Sequence, residues 1–181
     1  MKRPALLAAA LSALTLLFGC ATAPPEGVDP VRGFDPERYL GKWYEIARLD
    51  HRFERGLSDV TAVYSEREDG GINVLNGGYD AASGKWKSAE GKAYFLKDRQ
   101  TASLKVSFFG PFYGGYHVIE LDKRDYAYAL VCGPSRSYLW ILARTPSLPR
   151  ETLDQLISAA NSLNFPVNDL IFVTHDRTPT S

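Results

Sequence analysis

Eight short runs rich in β-branched and aromatic residues follow one another along most of this chain, and turn-forming residues separate them. They occupy residues 43–49, 60–66, 72–79, 85–96, 101–109, 116–122, 126–132 and 138–144. Their spacing, roughly one run every 8–12 residues, is typical of an antiparallel sandwich or barrel. Because no helical pattern separates the runs, a parallel sheet is excluded.

A single helical pattern follows the last of these runs, at residues 149–163. Pro149 suits the first turn of a helix, where its missing N–H costs nothing. Apolar residues then recur at helical spacing and form one stripe: Leu153, Leu156, Ile157 and Ala160. Residues 171–174 are predicted to form a ninth, short strand.

These elements predict an all-β fold, an eight-stranded antiparallel up-and-down β-barrel with the C-terminal helix packed outside it. Closing the sheet removes its exposed edges, and eight strands enclose room for one small ligand. An immunoglobulin-like sandwich explains the sequence less well, because that fold has no need of the helix.

The first residues of the chain are not expected to belong to this barrel. Lys2 and Arg3 precede an uncharged apolar run at residues 5–17, which is too short to span a bilayer and is typical of a signal peptide. The run ends in Leu17-Phe18-Gly19-Cys20, which resembles the lipobox of bacterial lipoproteins. A plain signal peptide with an incidental cysteine is the alternative.

The lipobox resemblance implies that residues 1–19 are removed and that Cys20 then carries several acyl chains, enough for stable membrane anchoring. Ala21 is not the Asp that retains such lipoproteins in the inner membrane, so the outer membrane, on its periplasmic face, is predicted. Residues 20–33, rich in proline and glycine, are predicted to be an extended tether, with the barrel domain at 34–181.

The charge balance argues against several classes of partner. The chain has 21 Lys and Arg against 21 Asp and Glu, so its formal net charge is zero. Nucleic acids demand an excess of positive charge, and so does attachment to an anionic membrane by charge alone. No nucleic-acid partner is therefore expected.

Catalytic and metal-binding patterns are missing from the sequence. The histidines His51, His117 and His175 lack the spacing of metal ligands, so no metal and no cofactor is predicted. There is no Gly-x-Ser-x-Gly elbow and no phosphate-binding loop. Cys132, in an apolar run, is predicted to be a small buried core residue and not a catalytic thiol.

Three short motifs connect the predicted barrel to a known family. Gly41-Lys42-Trp43-Tyr44 contains Gly-x-Trp-Tyr at the start of the first strand, Asp125-Tyr126 precedes the seventh, and Trp-Ile-Leu-Ala-Arg at 140–144 ends the eighth. Together and in this order they resemble the three signatures of the lipocalin family, over nearly all of the chain after residue 33. The resemblance implies a carrier of a hydrophobic molecule that performs no chemistry on it.

The signature residues are predicted to be structural: Gly41, Trp43, Tyr44, Asp125, Tyr126 and Arg144. Side chains alternate along a strand, which places Trp43 and Arg144 inward at the closed end of the barrel. There the guanidinium can lie on the indole, a cation–π contact worth ~1–2 kcal/mol when desolvated. Tyr44 then faces outward. The alternative is that Trp43 and Arg144 contact the ligand.

The resemblance to lipocalins of the apolipoprotein D type implies six ligand-binding residues: Tyr64, Asn76, Phe108, Tyr116, Trp140 and Leu142. They give an apolar, aromatic interior with a few polar groups, which suits a long-chain fatty acid or a lysophospholipid. The alternative is that these aromatic residues fill a solid core. Glu45 shares the inward face of Trp43 and needs a partner there, for which Arg144 is a candidate.

Two loops are candidates for contacts at the open end of the barrel. Residues 51–57 are predicted to form a lid, in which Arg52 and Arg55 could meet a phosphate or carboxylate headgroup. A solvated charged loop is the alternative. Residues 109–115 are predicted to form an aromatic loop that touches the membrane or a second copy of the chain, giving a homodimer.

The sequence thus favours an outer-membrane lipoprotein that binds, stores or transports a fatty acid or lysophospholipid during envelope stress or repair, and that is not an enzyme. Three alternatives remain: a lipid-modifying enzyme of the lipocalin type, a non-binding envelope scaffold, and a haem carrier that uses His117.

Overall fold

Nine β-strands and two α-helices make up the computed structural model of the protein, which describes residues 22–178. The predicted signal peptide and Cys20 lie outside the described residues. The helices are α1 (Pro36–Tyr39) and α2 (Arg150–Ser162), and a 3-10 turn covers Val167–Asp169. The strands are β1 (Gly41–Arg48), β2 (Leu57–Glu66), β3 (Ile72–Asp80), β4 (Lys85–Phe95), β5 (Ser103–Phe109), β6 (Phe112–Leu121), β7 (Tyr128–Cys132), β8 (Leu139–Ala143) and β9 (Ile171–Phe172).

The first eight strands form a closed ring. Each pairs with the next in antiparallel fashion from β2 to β8, and β1 pairs with both β8 and β2. The short β9 bonds to the end of β1, with Ile171 opposite Arg48, and takes no place in the ring. The predicted up-and-down barrel, with one late helix and a ninth strand outside it, is confirmed.

The up-and-down order gives the barrel two distinct ends. The connections after β1, β3, β5 and β7 lie at one end, here called the open end. The connections after β2, β4 and β6 lie at the other, here called the closed end, which α1 also covers because it leads directly into β1.

Helix α2 packs against the outside of the barrel, as its apolar stripe predicts. Leu156 and Ala160 are its buried residues, and they belong to a cluster that contains Leu130, Cys132 and Ile141 from β7 and β8. Cys132 is therefore a buried core residue, as predicted, and burial raises the pKa of its thiol to about 12.

A bulge in β1 changes which of its residues face inward. The register with β8 shifts between Glu45 and Ala47, so Ile46 and Ala47 both join the outer cluster under α2. Arg48 is consequently turned into the barrel, three residues after Glu45.

The stretch at 109–115, predicted as an aromatic loop, is instead the tip of a hairpin, so that prediction is wrong. Phe109 ends β5 and pairs with Phe112 at the start of β6, with only Gly110 and Pro111 between them. Aromatic residues favour strands, and β6 continues through the glycines that follow.

The segment at 22–33, where a tether is predicted, lies along the outside of the barrel. Val28 is buried in the outer cluster. The N–H of Val31 donates to the carbonyl of Val118 at 2.8 Å, and the carbonyl of Val31 accepts from Ala102 at 2.9 Å. Within residues 22–178, no helix is both long and apolar enough to cross a membrane.

His117 on β6 is a fully buried titratable group with few hydrogen-bond partners. Its Nδ1 lies 2.9 Å from the hydroxyl of Ser103. Burial lowers the pKa of His117 to about 4, although backbone groups of Thr22 and Ala23 oppose the shift.

This histidine should make the fold sensitive to mild acid. Between its ordinary pKa of 6.5 and about 4, the unfolded chain binds a proton at His117 that the folded chain does not. The free energy of unfolding should therefore fall as pH falls through this window, by up to about 3 kcal/mol. Urea titrations across the window should show a shallower fall for His117→Gln. Equal slopes for the two proteins would contradict this account.

Candidate ligand-binding site

A cation–π contact closes one end of the barrel. Trp43 is fully buried, and the Arg144 guanidinium lies 3.9 Å from the centroid of its ring, as predicted. Arg144 also donates to the carbonyls of Arg38 at 2.7 Å and Lys42 at 2.9 Å. The indole N–H of Trp43 donates to the carbonyl of Tyr39 at 2.8 Å. The last strand, the first strand and α1 are thereby joined across the closed end.

The backbone favours glycine at position 41, beside this contact. Its φ is +92°, a conformation that residues with a side chain rarely adopt. The glycine of the first motif therefore allows the chain to turn from α1 into β1 next to the guanidinium.

The remaining signature residues have different surroundings. The hydroxyl of Tyr126 accepts a hydrogen bond from the N–H of Asp35 at 2.9 Å, and Arg38 lies over its ring. Tyr126 thus ties α1 to the β6–β7 connection. Tyr44 is half-buried on the outer face, edge-on to His175. Asp125 is exposed and lies 3.7 Å from Arg124.

Removing the guanidinium should weaken the fold. Arg144→Met should lower the free energy of unfolding by about 1–3 kcal/mol, because the cation–π contact and the hydrogen bonds of the guanidinium to backbone carbonyls are lost. Chemical denaturation measures the change, and Arg124→Met, which removes an exposed arginine from the same end, serves as the control. A loss no larger than that of the control would show that the contact does not support the barrel.

Above this floor lies an apolar cavity of about 110 Å³. All six residues predicted to bind a ligand line it: Tyr64, Asn76, Phe108, Tyr116, Trp140 and Leu142. Its wall is completed mainly by aliphatic residues on the inward faces of β2, β3 and β5, among them Val60, Ile72, Val74, Leu104 and Val106. The space argues against a barrel that side chains fill completely.

Three tyrosine hydroxyls form a polar chain inside the cavity. The hydroxyl of Tyr116 lies 2.8 Å from that of Tyr39 and 2.9 Å from that of Tyr64. Burial raises the pKa of all three, so they remain protonated and neutral. Nearby, the side-chain oxygen of Asn76 is buried with no hydrogen-bond partner among the described residues.

The open end of the cavity contains two carboxyl groups that also line it, those of Glu45 and Glu54. Glu45 pairs with Arg48 at 2.7 Å. The expectation that Arg144 is its partner is wrong, because the β1 bulge brings Arg48 inward while Arg144 lies at the closed end. Glu54 Oε2 lies 3.1 Å from both the indole N–H of Trp140 and Nε2 of His51.

The two carboxyls differ in their tendency to hold a proton. Burial and the nearby Glu54 raise the pKa of Glu45 well above its usual range, despite Arg48. Burial also works to raise the pKa of Glu54, but hydrogen bonds from His51 and Trp140 outweigh it and hold that pKa below its usual value. Of the two carboxyls, Glu54 is the one whose surroundings favour the charged form.

The lid at 51–57 contributes Glu54 to the cavity, and not the arginines singled out from the sequence. Arg52 is exposed and lies over the ring of Phe53, and Arg55 is exposed and pairs with Asp50 at 2.8 Å. Arg48, which sequence reasoning missed, holds the lid by donating to the carbonyls of Glu54 at 2.8 Å and Leu57 at 3.1 Å.

The cavity is small in this structure, and the lid reaches it through Glu54. A volume of about 110 Å³ is smaller than typical ligand pockets of roughly 300–1,000 Å³. A long acyl chain therefore requires the cavity to widen. At the open end, Glu54 of the lid and Trp140 of β8 are hydrogen-bonded to each other and both line the cavity.

The histidine and the cysteine considered for haem binding and catalysis lie outside the cavity. His117 points away from the cavity, because its neighbour Tyr116 faces inward and side chains alternate along β6. Cys132 lies in the outer cluster. Over residues 22–178, no group of three or more His, Cys, Asp or Glu side chains is arranged to hold a metal ion.

Comparison with known proteins agrees with this geometry. Residues 34–175 match the family model described as a lipocalin-like domain. The chain is 59% identical over 166 residues to the outer membrane lipoprotein Blc of Citrobacter freundii, covering 91% of this chain and 93% of the relative. It is 56% identical over 168 residues to the protein of that name from Escherichia coli (strain K12), covering 92% and 94%. Among solved structures, insecticyanin from Manduca sexta superposes with a TM-score of 0.67 at 22% identity, covering 87% of each chain.

Proposed function

This chain belongs to the lipocalin family, and on that premise we propose that it is an outer-membrane lipoprotein that reversibly binds one single-chain lipid inside its barrel. It would store, scavenge or transport that lipid in the cell envelope. The observation that carries the proposal is the closed floor beneath an apolar cavity lined by all six expected residues. Names of relatives such as the Citrobacter freundii lipoprotein support the location, and acylation of Cys20 would provide the anchor.

Transfer of an acyl chain from water into such a cavity provides enough free energy for binding. Each methylene transferred from water to an apolar wall contributes ~0.8 kcal/mol. The wall residues are aliphatic and aromatic, and the tyrosine chain at the floor is already hydrogen-bonded internally. A single-chain lipid would therefore enter with its acyl chain first and leave its headgroup at the open end.

The charge at the open end distinguishes between the two ligand classes expected from the sequence. Over the described part of the chain, two carboxyls and no cationic side chain line the cavity. A fatty-acid carboxylate would meet the Glu54 carboxylate there, whereas the ammonium group of a lysophosphatidylethanolamine would be attracted to it. We therefore favour a lysophospholipid over a fatty acid.

The alternatives have less support. A lipid-modifying enzyme needs an activated nucleophile, and Cys132 has a raised pKa and lies outside the cavity. Incubation with labelled lysophospholipid followed by mass analysis distinguishes an enzyme from a carrier, since a carrier returns the lipid unchanged. A non-binding scaffold would have no saturable lipid binding at all.

Adjacent phenylalanines on opposite faces of β5 give a matched test of binding inside the barrel. Lysophosphatidylethanolamine, titrated as monomers, should quench the tryptophan fluorescence saturably, because Trp140 lines the cavity. Phe108→Ala should weaken binding about tenfold, since the Phe108 ring is part of the wall. Phe109→Ala should leave binding unchanged, because that ring is exposed. Equal effects of the two substitutions, or no saturable binding, would refute the proposal.

Headgroup selectivity should depend on Glu54. The wild-type protein should bind palmitoyl lysophosphatidylethanolamine at least about fivefold more tightly than palmitate, a difference of ~1 kcal/mol. Glu54→Gln should reduce this ratio, mainly through stronger palmitate binding, because the glutamine oxygen can still accept from Trp140. Hexadecanol, which is uncharged, serves as the control and should bind both proteins equally. An unchanged ratio in the variant would show that Glu54 does not select the headgroup.

A further inference from the structure

Asn76 is a polar residue of the cavity wall that the fold leaves without a hydrogen-bond partner. The three tyrosine hydroxyls of the cavity bond to one another, and each of the two carboxyl groups bonds to a neighbouring side chain. Among the described residues that line the cavity, only Asn76 has a buried polar side-chain atom, its oxygen, that makes no hydrogen bond. The residue as a whole is half-buried and borders the cavity.

The local structure does not account for an asparagine at this position. Ile72 and Val74 precede Asn76 on the inward face of β3, and both are buried apolar residues. The residues opposite Asn76 in the neighbouring strands are Ala62 and Ala89, whose methyl groups form no hydrogen bonds. Asparagine is depleted in strands, and a buried amide without a partner lowers stability. An aliphatic residue would suit the wall better, so the amide indicates a function toward a ligand.

Asn73, on the outer face of the same strand, has surroundings that do explain its side chain. Its amide nitrogen donates to the hydroxyl of Ser65 and to the carbonyl of Glu66, both at 3.3 Å, and its oxygen accepts from Arg67 at 2.8 Å. Asn73 therefore has a structural role, whereas the side-chain oxygen of Asn76 has no such partner in the described part of the chain.

The position of Asn76 along the cavity determines which part of a lipid it would meet. On β3 the wall residues run from Ile72 near the closed end, through Val74, to Asn76. Tyr64, whose hydroxyl belongs to the tyrosine chain at the floor, lies opposite Val74, and Asn76 is ~7 Å closer to the open end along the strand. A lipid whose headgroup remains at the open end therefore passes Asn76 with the first part of its acyl chain.

An amide at this depth is suited to a hydroxyl group on the acyl chain. A carboxamide has an acceptor oxygen and a donor nitrogen, and rotation of its terminal torsion turns either one towards the ligand. A methylene pairs with neither, whereas a hydroxyl donates and accepts and so pairs with both. Deeper in the cavity the aliphatic wall leaves a hydroxyl unpaired at a cost in free energy, and the floor tyrosines are already bonded to one another.

We propose that the cavity selects a single-chain lipid whose acyl chain bears a hydroxyl group near the headgroup, and that Asn76 recognises this hydroxyl. The inference rests on the proposed function and adds to it the substituent on the chain. The hydrogen bond pairs an amide that is otherwise unsatisfied, so the lipid hydroxyl gains a partner at little further cost to the protein.

Three fatty acids of equal chain length and equal charge test this selectivity: palmitate, 3-hydroxypalmitate and 16-hydroxypalmitate. Each is titrated as monomers into the protein, and quenching of the tryptophan fluorescence reports binding. The affinity for 3-hydroxypalmitate should exceed that for palmitate about fivefold, the effect of one added hydrogen bond. The affinity for 16-hydroxypalmitate should not exceed that for palmitate, because its hydroxyl lies at the far end of the chain from Asn76.

Matched substitutions on the two faces of β3 identify the residue responsible. Asn76→Leu keeps the approximate size of the side chain and should make the two affinities equal, while palmitate binds at least as tightly as to the wild type, which also shows that the variant is folded. Asn73→Leu, on the outer face, should leave the preference at about fivefold. A preference that survives Asn76→Leu, or equal gains from both hydroxy acids, would overturn the proposal.

A second pair of ligands, palmitoyl and 3-hydroxypalmitoyl lysophosphatidylethanolamine, identifies the lipid class that carries the hydroxyl. The preference is expected in both the phospholipid pair and the acid pair. A preference in one pair alone supports recognition of the hydroxyl and assigns it to that class, whereas equal affinities within both pairs overturn the proposal. Failure of the proposed function is a different result, because none of these ligands would then bind saturably.

Discussion

The contact between Arg144 and Trp43 is the interaction on which the rest of the structure depends. It joins the end of the last barrel strand to the start of the first, and through the carbonyls of Arg38 and Lys42 it also holds α1 across the closed end. A barrel sealed in this way has a blind cavity with one opening. The buried rings of Phe34, Tyr39 and Trp43 fill this end of the barrel, so water reaches an apolar molecule in the cavity only from the open end.

The second determinant of the site is the bulge in β1. It places two successive residues, Ile46 and Ala47, under α2 and sends Arg48 inward at the open end. The bulge therefore affects both faces of the sheet. On the outer face it adds Ile46 and Ala47 to the cluster under α2. On the inner face it positions Arg48, which binds Glu45 and the backbone of the lid. The lid in turn places Glu54 at the cavity, so the position of this carboxyl group depends on the β1 bulge.

Much of this could be predicted from the sequence because it follows from periodicity and from family signatures. The strand runs, the helical stripe and the alternation of β1 around Trp43 are local patterns, and they place the barrel, α2 and the sealed end. The six cavity residues came from the family resemblance.

The partner of Glu45 was missed because a bulge shifts the alternation of side chains along the strand and leaves no signal in the sequence. Arg52 and Arg55 were chosen for their charge, yet the backbone of the lid directs Glu54 inward. The path of residues 22–33 depends on long-range hydrogen bonds that composition does not reveal.

Native mass spectrometry of the protein, extracted from bacterial membranes in mild detergent, tests the central claim of a sealed barrel that carries one lipid. A single non-covalent adduct per chain, with the mass of a single-chain phospholipid and lost on collisional activation, is the predicted result. A chain that carries no adduct under conditions that preserve other lipid complexes, or several lipids of mixed class bound in no fixed ratio, would contradict it.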